Sequence, residues 1–408
     1  MRALVVGSGG REHALAWKLA QSPSLTELHA APGNPGIASV AECHPIRADD
    51  AEGMLGLARS LEIELVVVGP EGPLVLGIAD ALRRFGFLVF GPSAGAARIE
   101  GSKSFAKDVM AAAGVSSAAR LAIARPPCVV KADGLAAGKG VFVCHTQAEV
   151  DDAMRALAGA GSDVVVEELL SGPEVSLFAI CDGRDARALV PAQDFKRAYD
   201  GDLGPNTGGM GAVAPAALEL AEAEELVRTV HVPVLAELAK RGSHFTGLLY
   251  AGVMLTPTGP RVLEFNCRFG DPETQAVVPL LTGDLLETLA AAARGDVVGA
   301  DVGWSGESAV TVVLASERYP AEGDRGATIE GVDDAEAVGA LVFHAGTARH
   351  GDKLVTNGGR ILAVTGVATT VDEARDVAYD AAGRIGFAGA RYRSDIAAGR
   401  ALEVGTDS

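Results

Sequence analysis

The chain has little of what several function classes require. Its 408 residues include five cysteines, Cys43, Cys128, Cys144, Cys181 and Cys267, with no Cys-x-x-Cys pair among them. An odd count at these spacings argues against a disulfide framework, leaves no zinc-type site legible, and fits reduced, mostly buried thiols in a cytoplasm. Positive charge is also short: 35 Lys and Arg against 53 Asp and Glu give a formal net charge of −18. A phosphate backbone would be repelled overall, so no nucleic-acid partner is expected and local lysines must do any phosphate binding. No apolar run reaches membrane-spanning length. Met1 to Gly7 enters a strand without the apolar core and small-residue cleavage site of a secretory signal, so a cytoplasmic chain with no membrane partner is expected. Internal repeats and low-complexity linkers are missing too.

Two phosphate motifs are present only in part. Ala3–Val6 reads as a buried strand, and Gly7-Ser8-Gly9-Gly10 leads into a helix with apolar Ala14, Leu15, Trp17 and Leu19. A glycine turn at a helix start is a ready anion site. Glu12, however, stands at the third glycine of G-x-G-x-x-G, so phosphate binding and plain tight strand–helix packing weigh evenly. Further on, Pro127 to His145 reads strand, glycine loop, strand, with Lys131 and Lys139 beside Gly134, Gly138 and Gly140. It is not a Walker A loop, because Asp133 stands where the first glycine belongs and Gly140 where the hydroxyl belongs. Glycines admit a polyphosphate to the backbone, and the two lysines supply point charges, so the loop is expected to be a nucleotide lid. A loose surface hairpin is the weaker alternative.

With 48% hydrophobic and 22% charged residues, the composition is that of a folded α/β chain, and its length exceeds one ordinary core. Over the first hundred residues strands and helices alternate: Leu65–Val68 as strand, Gly69 to Pro73 as turn, Leu74 to Phe85 as helix, Leu88–Phe90 as strand. That pattern predicts a small parallel sheet, with Gly7 to Gly10, Ala31 to Asn34 and Glu71 at its ligand-binding carboxyl edge. Ser102 caps a helix running to Met110, where Lys103 opposes the helix dipole unless a phosphate joins it. After the lid, Thr146 and Glu149 have capping-box spacing, and Val164 to Leu170 reads as a strand ending in the acids Glu167 and Glu168. Its backbone and the following Glu174 could meet an adenine edge and ribose hydroxyls. Gln193 to Arg197 and Gly204 to Gly211 read as ordered active-site loops.

The second strong signal is Val262 to Phe269. In a strand, Glu264, Asn266 and Arg268 share one face over roughly 13 Å, while Leu263, Phe265, Cys267 and Phe269 face the core. One carboxylate and one amide oxygen suit Mg²⁺, which completes its shell with phosphate oxygens and water. Asp271 and Glu273 add acids behind them. From about Ser305 the chain reads as α+β, with strands at Ala309–Ala315, Leu341–His344 and Ile361–Thr365 and a helix from Asp372 to Ile385 behind a Thr370–Glu373 box.

Taken together, these motifs resemble the ATP-grasp superfamily and, within it, the glycinamide ribonucleotide synthetase family. The matching pieces run from Gly7–Leu15 through Ala31–Asn34, Val68–Glu71, Gly101–Lys103, Val130–Val141, Gly204–Gly211 and Glu264–Gln275 to Phe343–Thr347 and Thr356–Arg360, in the family's order. The resemblance implies an α/β and α+β multidomain fold: an N-terminal substrate domain over 1–100, an ATP-grasp domain over 101–300 with its lid at about 115–172, and an α+β domain over 301–408. It implies ligation of glycine to 5-phosphoribosylamine with ATP and Mg²⁺ or Mn²⁺, by a monomer.

By residue, the resemblance implies catalytic roles for Arg268, Lys131 and Asp271. Lys103, Lys131, Gly138, Lys139 and Gly140 would hold ATP phosphates. Glu167, Glu168 and Leu170 would border adenine, and Glu174 the ribose. Glu264 and Asn266 would hold the metal. Gly9, Gly10, Glu71, Asn206, Thr207, Gly208 and Gly209 would face phosphoribosylamine or glycine. Three departures stand out: Phe195 where the family has histidine, a lid without a helix between Val115 and Val129 and trimmed over Val150 to Val164, and Ser316-Glu317-Arg318 before Tyr319-Pro320. Alternatives are another ATP-grasp ligase, a nucleotide sensor without catalysis, and a nicotinamide-dependent oxidoreductase, which Glu12 disfavours.

Overall fold

Short strand runs build the first unit. In the computed structural model, which describes residues 1–135, 140–159, 161, 163–300 and 302–399, these runs are β1 (Arg2–Gly7), β2 (Glu27–Pro32), β3 (Glu42–Cys43), β4 (Leu65–Val68) and β5 (Leu88–Phe90). Between them lie α1 (Gly10–Leu19), α2 (Ala51–Ser60), α3 (Glu71–Val75) and α4 (Ile78–Arg84). The runs are valine-rich and closed by a glycine in β1, β4 and β5, and alanine-rich or polar in β2 and β3. All strands are parallel, in the order β3-β2-β1-β4-β5. Helices cover both faces, which is why β1 and β4 are apolar along their lengths. The single helix expected over Leu74–Phe85 is two. It starts at Glu71, directly after Pro70, and breaks at Gly77, whose φ of +90° glycine takes without steric cost.

The middle of the chain makes two sheets of different standing. Helices α5 (Ala94–Gly101) and α6 (Lys103–Ala112) precede the lid, in which β6 (Cys128–Ala132) pairs with both β7 (Val141–Cys144) and β8 (Val164–Glu168) under α7 (Gln147–Gly159). The lid has a small core of its own, made of Cys128, Val130, Ala132, Cys144, Val150, Ala153 and Leu157. The 115–127 stretch contains no helix; it runs extended, bonding Val262 on one side and Val166 on the other. The stretch that looked trimmed still carries the whole of α7, 13 residues long.

Beneath the lid, β9 (Glu174–Asp182), β10 (Ala186–Ala188), β15 (Thr246–Thr256) and β16 (Gly259–Asn266) form an antiparallel base sheet ordered β10-β9-β15-β16. The numbers between them belong to β11 (Gln193–Asp194), the paired β12 (Arg197–Tyr199) and β13 (Leu203–Asn206), and β14 (Gly211–Ala214). Helices α8 (Leu220–Leu226), α9 (Val232–Lys240), α10 (Glu273–Leu280) and α11 (Leu285–Arg294) and the short pair β17 (Leu281–Thr282) and β18 (Gly303–Trp304) complete this part. The base shares its two large cores with the N-terminal sheet: Leu4 and Val6 join Val253 and Phe265, and Val5 joins Phe178 and Leu248.

In the last part, β19 (Ser308–Ala315), β20 (Asp324–Thr328), α12 (Val332–Glu336), β21 (Leu341–His344), β22 (Thr347–His350), β23 (Lys353–Gly358), β24 (Arg360–Ala368) and α13 (Val371–Ala382) succeed one another. The main sheet, β11-β14-β19-β24-β21, takes two strands from residues 193–214, so the active-site loops are sewn into the C-terminal layer. Thr370 caps α13, which ends at Ala382 before Gly383 rather than reaching Ile385. Among the described residues no helix is long and apolar enough to cross a membrane.

Candidate active site

Base, lid, N-terminal sheet and C-terminal layer enclose a cleft of about 260 Å³ lined by seven carboxylates and seven cationic side chains. That balance stands out on a chain of net charge −18. Its floor is β16, where Glu264, Asn266 and Arg268 all line the cleft. The strict alternation expected of this strand fails at Leu263. A bulge opposite Gly252 and Val253 leaves Leu263 facing the cleft instead of the core, with Val262, Phe265 and Cys267 buried around it. An extra residue in one strand turns the residues after it onto the other face.

Arg268 is the hub of the floor. It donates to Glu100 Oε1 at 2.9 Å, Asn266 Oδ1 at 3.1 Å, Glu71 Oε2 at 3.3 Å and the Phe269 carbonyl at 3.1 Å. Burial opposes its charge, but Glu100 and Glu71 outweigh that and raise its pKa further. Burial likewise opposes ionisation of Glu71, yet Arg268 and Arg11 hold its carboxyl below the usual range. Buried Glu100 is pushed up.

One end of the cleft is a lysine pole. Buried Glu167 accepts from Lys107 at 2.8 Å and from Lys131 at 2.7 Å, and Lys131 also donates to the Leu263 carbonyl at 3.1 Å. Lys103, one turn before Lys107 on α6, donates to the Gly134 carbonyl at 3.1 Å. The conflict between Lys103 and its helix dipole is relieved inside the protein. Asp133, at the end of β6, accepts from the Ser104 N–H at 3.3 Å, a carboxylate on the helix N-terminus. Gly140 lines this end, whereas Gly138 and Lys139 lie outside the described residues.

The other end is a carboxylate pole. Glu174, Asp194, Glu264 and Glu273 gather around Lys196, which is paired with Glu174 and lies 3.7 Å from Asp194. Burial, with Glu273, Glu174 and Glu264, pushes Asp194 up to about 8 against the pull of Lys196. Glu264 is held below its usual range despite burial, by Lys196, Lys131, Lys103 and Arg268. The donor set fits a hard divalent cation: one ionised carboxylate and one amide oxygen on the same strand face, among carboxylates whose repulsion a cation would relieve.

Other residues singled out from the sequence fall around these poles. Asp271 lines the cleft and pairs with Arg360 at 3.0 Å. Thr207 and Gly208 line it too; the Gly208 N–H donates to Tyr319 Oη at 2.8 Å and its carbonyl accepts from Arg360. Asn206 reaches the lid at the Val141 carbonyl, 3.5 Å away, and the Gly209 N–H donates to Thr207. Glu168 is tied to the Ala119 N–H and Arg261, both at 2.7 Å, and neither it nor Leu170 lines the cleft. Gly9 and Gly10 sit just outside, against Asp271 and Gln275. The Gly9 N–H donates to Glu12 Oε2 at 2.6 Å, and the Glu12 side chain fills the space over Gly7 and Gly69. The anion place at the start of α1 is thus occupied by the protein's own carboxylate, which removes the nicotinamide-nucleotide alternative. Phe195 faces away from the cleft into the C-terminal core, with Arg393 over its ring at 5.5 Å, while Asp194 and Lys196 on either side face inward. The departure at 195 therefore bears on packing, not on ligand contact.

Sequence reading put Asp194 and Lys196 in an active-site loop without assigning either a contact, and gave no role to Lys107, Glu100, Tyr250 and Arg360. Lys107 was findable from its i+4 spacing to Lys103, and Asp194 and Lys196 from their period of two. Arg360 reaches the cleft only through the C-terminal sheet's topology.

A strand carrying a carboxylate, an amide and an arginine beneath a lysine-bearing glycine lid defines the chain as an ATP-grasp protein. The biotin carboxylase domain of Hydrogenobacter thermophilus 2-oxoglutarate carboxylase shares this fold, with a TM-score of 0.69 over 96% of this chain and 91% of that one at 17% identity. Three family profiles then match in succession: phosphoribosylglycinamide synthetase N domain at 1–100, ATP-grasp (A) domain at 101–274 and C domain at 309–399. The chain is 52% identical to the phosphoribosylamine–glycine ligase of Streptomyces coelicolor, over 98% of this chain and 99% of that one. It is 48% identical to that of Mesorhizobium japonicum, over 97% of each. The crystal structure of phosphoribosylamine–glycine ligase from Thermotoga maritima superposes with a TM-score of 0.85 at 35% identity, covering 97% of this chain and 100% of that one. The chain belongs to the phosphoribosylglycinamide synthetase family, and is a carbon–nitrogen ligase of purine biosynthesis.

Proposed function

We propose that the protein joins the carboxylate of glycine to the amine of 5-phosphoribosylamine, cleaving ATP to ADP and phosphate. The observation that carries this reading is the Glu264–Asn266–Arg268 face lying directly beneath Lys131, whose ammonium bonds the same strand at Leu263. A binding protein has no need of such a face; phosphoryl transfer needs it, since positioning and charge neutralisation supply most of its catalysis.

Lys103 and Lys131 take ATP phosphate oxygens as point charges. Glu264 and Asn266 would hold Mg²⁺ or Mn²⁺, which would supply neutralisation of the polyphosphate charge. The glycine carboxylate attacks the γ-phosphorus, the bond to the ADP oxygen breaks, and a glycyl phosphate results. Arg268 stabilises the oxygens of the transferred group and then those of the departing phosphate. The amine nitrogen attacks the acyl carbon, loses a proton, and phosphate leaves. Glu71, Thr207 and Gly208 border the amine substrate, with Asp271 and Arg360 fixing the loop behind it. A monomer is the assembly state that goes with this reading, and five free cysteines support a reducing, cytoplasmic setting.

The test is ADP release by the purified protein with Mg-ATP, glycine and freshly generated phosphoribosylamine, each omitted in turn, beside Glu264→Ala. Release needing all three and lost in the variant is the expected result. ATP binding without release would point to a sensor. Release with a different carboxylate in place of glycine would point to another ligase.

A further inference from the structure

The outer edge of the N-terminal sheet carries a side-chain cluster that ligation does not use. Strands β2 and β3 run parallel with His29 opposite Glu42, and His44 lies two residues beyond Glu42 on the same side. His29 Nδ1 is 3.1 Å from His44 Nε2 and 3.7 Å from Glu42 Oε2, and the three donor atoms lie within 4.8 Å of one another. The His29 ring is buried, 4% exposed; His44 is half-buried and Glu42 exposed, so the cluster opens to solvent on one side. On the far side of the ring, Nε2 is buried without a hydrogen-bond partner, and its nearest acid is Glu27 Oε2 at 3.6 Å. None of these four residues lines the catalytic cleft.

We propose that His29, Glu42 and His44 bind one divalent transition-metal ion of the zinc class. Zinc takes imidazole nitrogen and carboxylate oxygen at about 2.0–2.2 Å, so tetrahedral ligands stand roughly 3.3–3.4 Å apart. The two separations from His29, 3.1 and 3.7 Å, need only a few tenths of an ångström of adjustment, and the Glu42–His44 separation, within 4.8 Å, closes by rotation of the exposed Glu42 side chain. Two imidazoles with a carboxylate favour zinc, copper or nickel over the hard cations that suit Glu264 and Asn266. Glu27 completes the pattern: it is the acid nearest Nε2, 3.6 Å away, and on closing by about half an ångström it would accept the Nε2–H and leave the Nδ1 lone pair for the metal. Water fills the open position. The ion pins the two-residue edge strand β3 to β2. The end of β2 leads into Asn34, whose amide donates to the carbonyls of Ser8 and His344 at 2.8 Å. The role is therefore structural, holding the glycine-loop edge of the N-terminal sheet against the C-terminal layer. The sequence hid the site because its ligands are spaced His-x12-Glu-x-His and meet only through strand pairing.

The experiment uses the full chain, stripped with chelator and titrated with Zn²⁺ by calorimetry, and with Co²⁺ followed by visible absorption. The expected result is one ion per chain, a tetrahedral cobalt spectrum and a rise in Tm on loading. Glu42→Gln and His44→Ala should each weaken binding by more than about 10-fold, and Glu27→Gln by about 10-fold, the size of an outer-contact effect. Glu264→Gln should leave the zinc isotherm unchanged. Absence of binding at micromolar zinc, or an isotherm unaltered in a Glu42→Gln/His44→Ala double variant, overturns the proposal. The exposed Glu42 keeps the test valid should His44→Ala fail to fold.

Discussion

The two ends of the catalytic cleft are electrostatic inverses. At one, Lys107 and Lys131 share the carboxylate of Glu167, with Lys103 one turn away on the Gly134 carbonyl; at the other, Glu174, Asp194, Glu264 and Glu273 surround the single ammonium of Lys196. Each pole carries surplus charge that a ligand of opposite sign would satisfy, polyphosphate at the first and a divalent cation at the second. Their supports differ as well. Glu174 and Glu264 of the carboxylate pole stand on the base sheet, whose cores are shared with the N-terminal domain, and Asp194 on the C-terminal sheet, whereas Lys131 and Glu167 belong to a lid with a small core of its own. A rigid floor and a separately packed cover are what an enzyme needs if it must hold reacting atoms still and yet admit substrates.

Substitutions at the poles and away from them put this contrast at risk. The largest effect is expected from Glu264→Gln, which removes the ionised ligand from the floor: kcat for ADP formation should fall by about 10²- to 10³-fold, the scale of losing one transition-state contact. Glu167→Gln comes next. It leaves two buried lysines side by side and should cost about 3–5 kcal/mol of stability, read as a lower denaturation midpoint. Asp194→Asn acts through pH. The Asp194 pKa is raised from 3.8 to about 8 on folding, so its contribution to stability is fully present below about pH 4 and is lost as pH climbs toward 8. Without metal, the wild-type Tm should decline over that range, and the variant should show a flatter profile with the higher value at pH 8. The smallest effect belongs to Phe195→His. Because Phe195 packs in the C-terminal core beneath Arg393, the substitution should lower Tm modestly and change kcat/KM by less than about 2-fold, as substitutions remote from the reacting groups do.

Much of this was legible in the sequence because it is local. The lid hairpin, the strand bearing Glu264, Asn266 and Arg268, and the parallel alternation of the first hundred residues each announce themselves within a dozen positions. Capping boxes at Thr146 and Thr370 placed two helix starts correctly. What escaped depends on pairing between distant segments. The bulge that turns Leu263 into the cleft is set by β15, not by β16 itself. Residues 193–214 join the C-terminal sheet, which is how Arg360 comes to hold Gly208 and Asp271. Asp133 answers the dipole at Lys103 from another element. Glu12, which spoils a dinucleotide fingerprint on paper, proves to be the group that fills the turn.

The division of labour between the poles is tested most directly by measuring ATP affinity for Lys131→Met and Glu264→Gln, with and without Mg²⁺. Lys131→Met should weaken ATP by about 10- to 100-fold under both conditions, the worth of a charged hydrogen bond to phosphate. Glu264→Gln should weaken it only when Mg²⁺ is present. Equal losses in both variants regardless of Mg²⁺ would contradict the account.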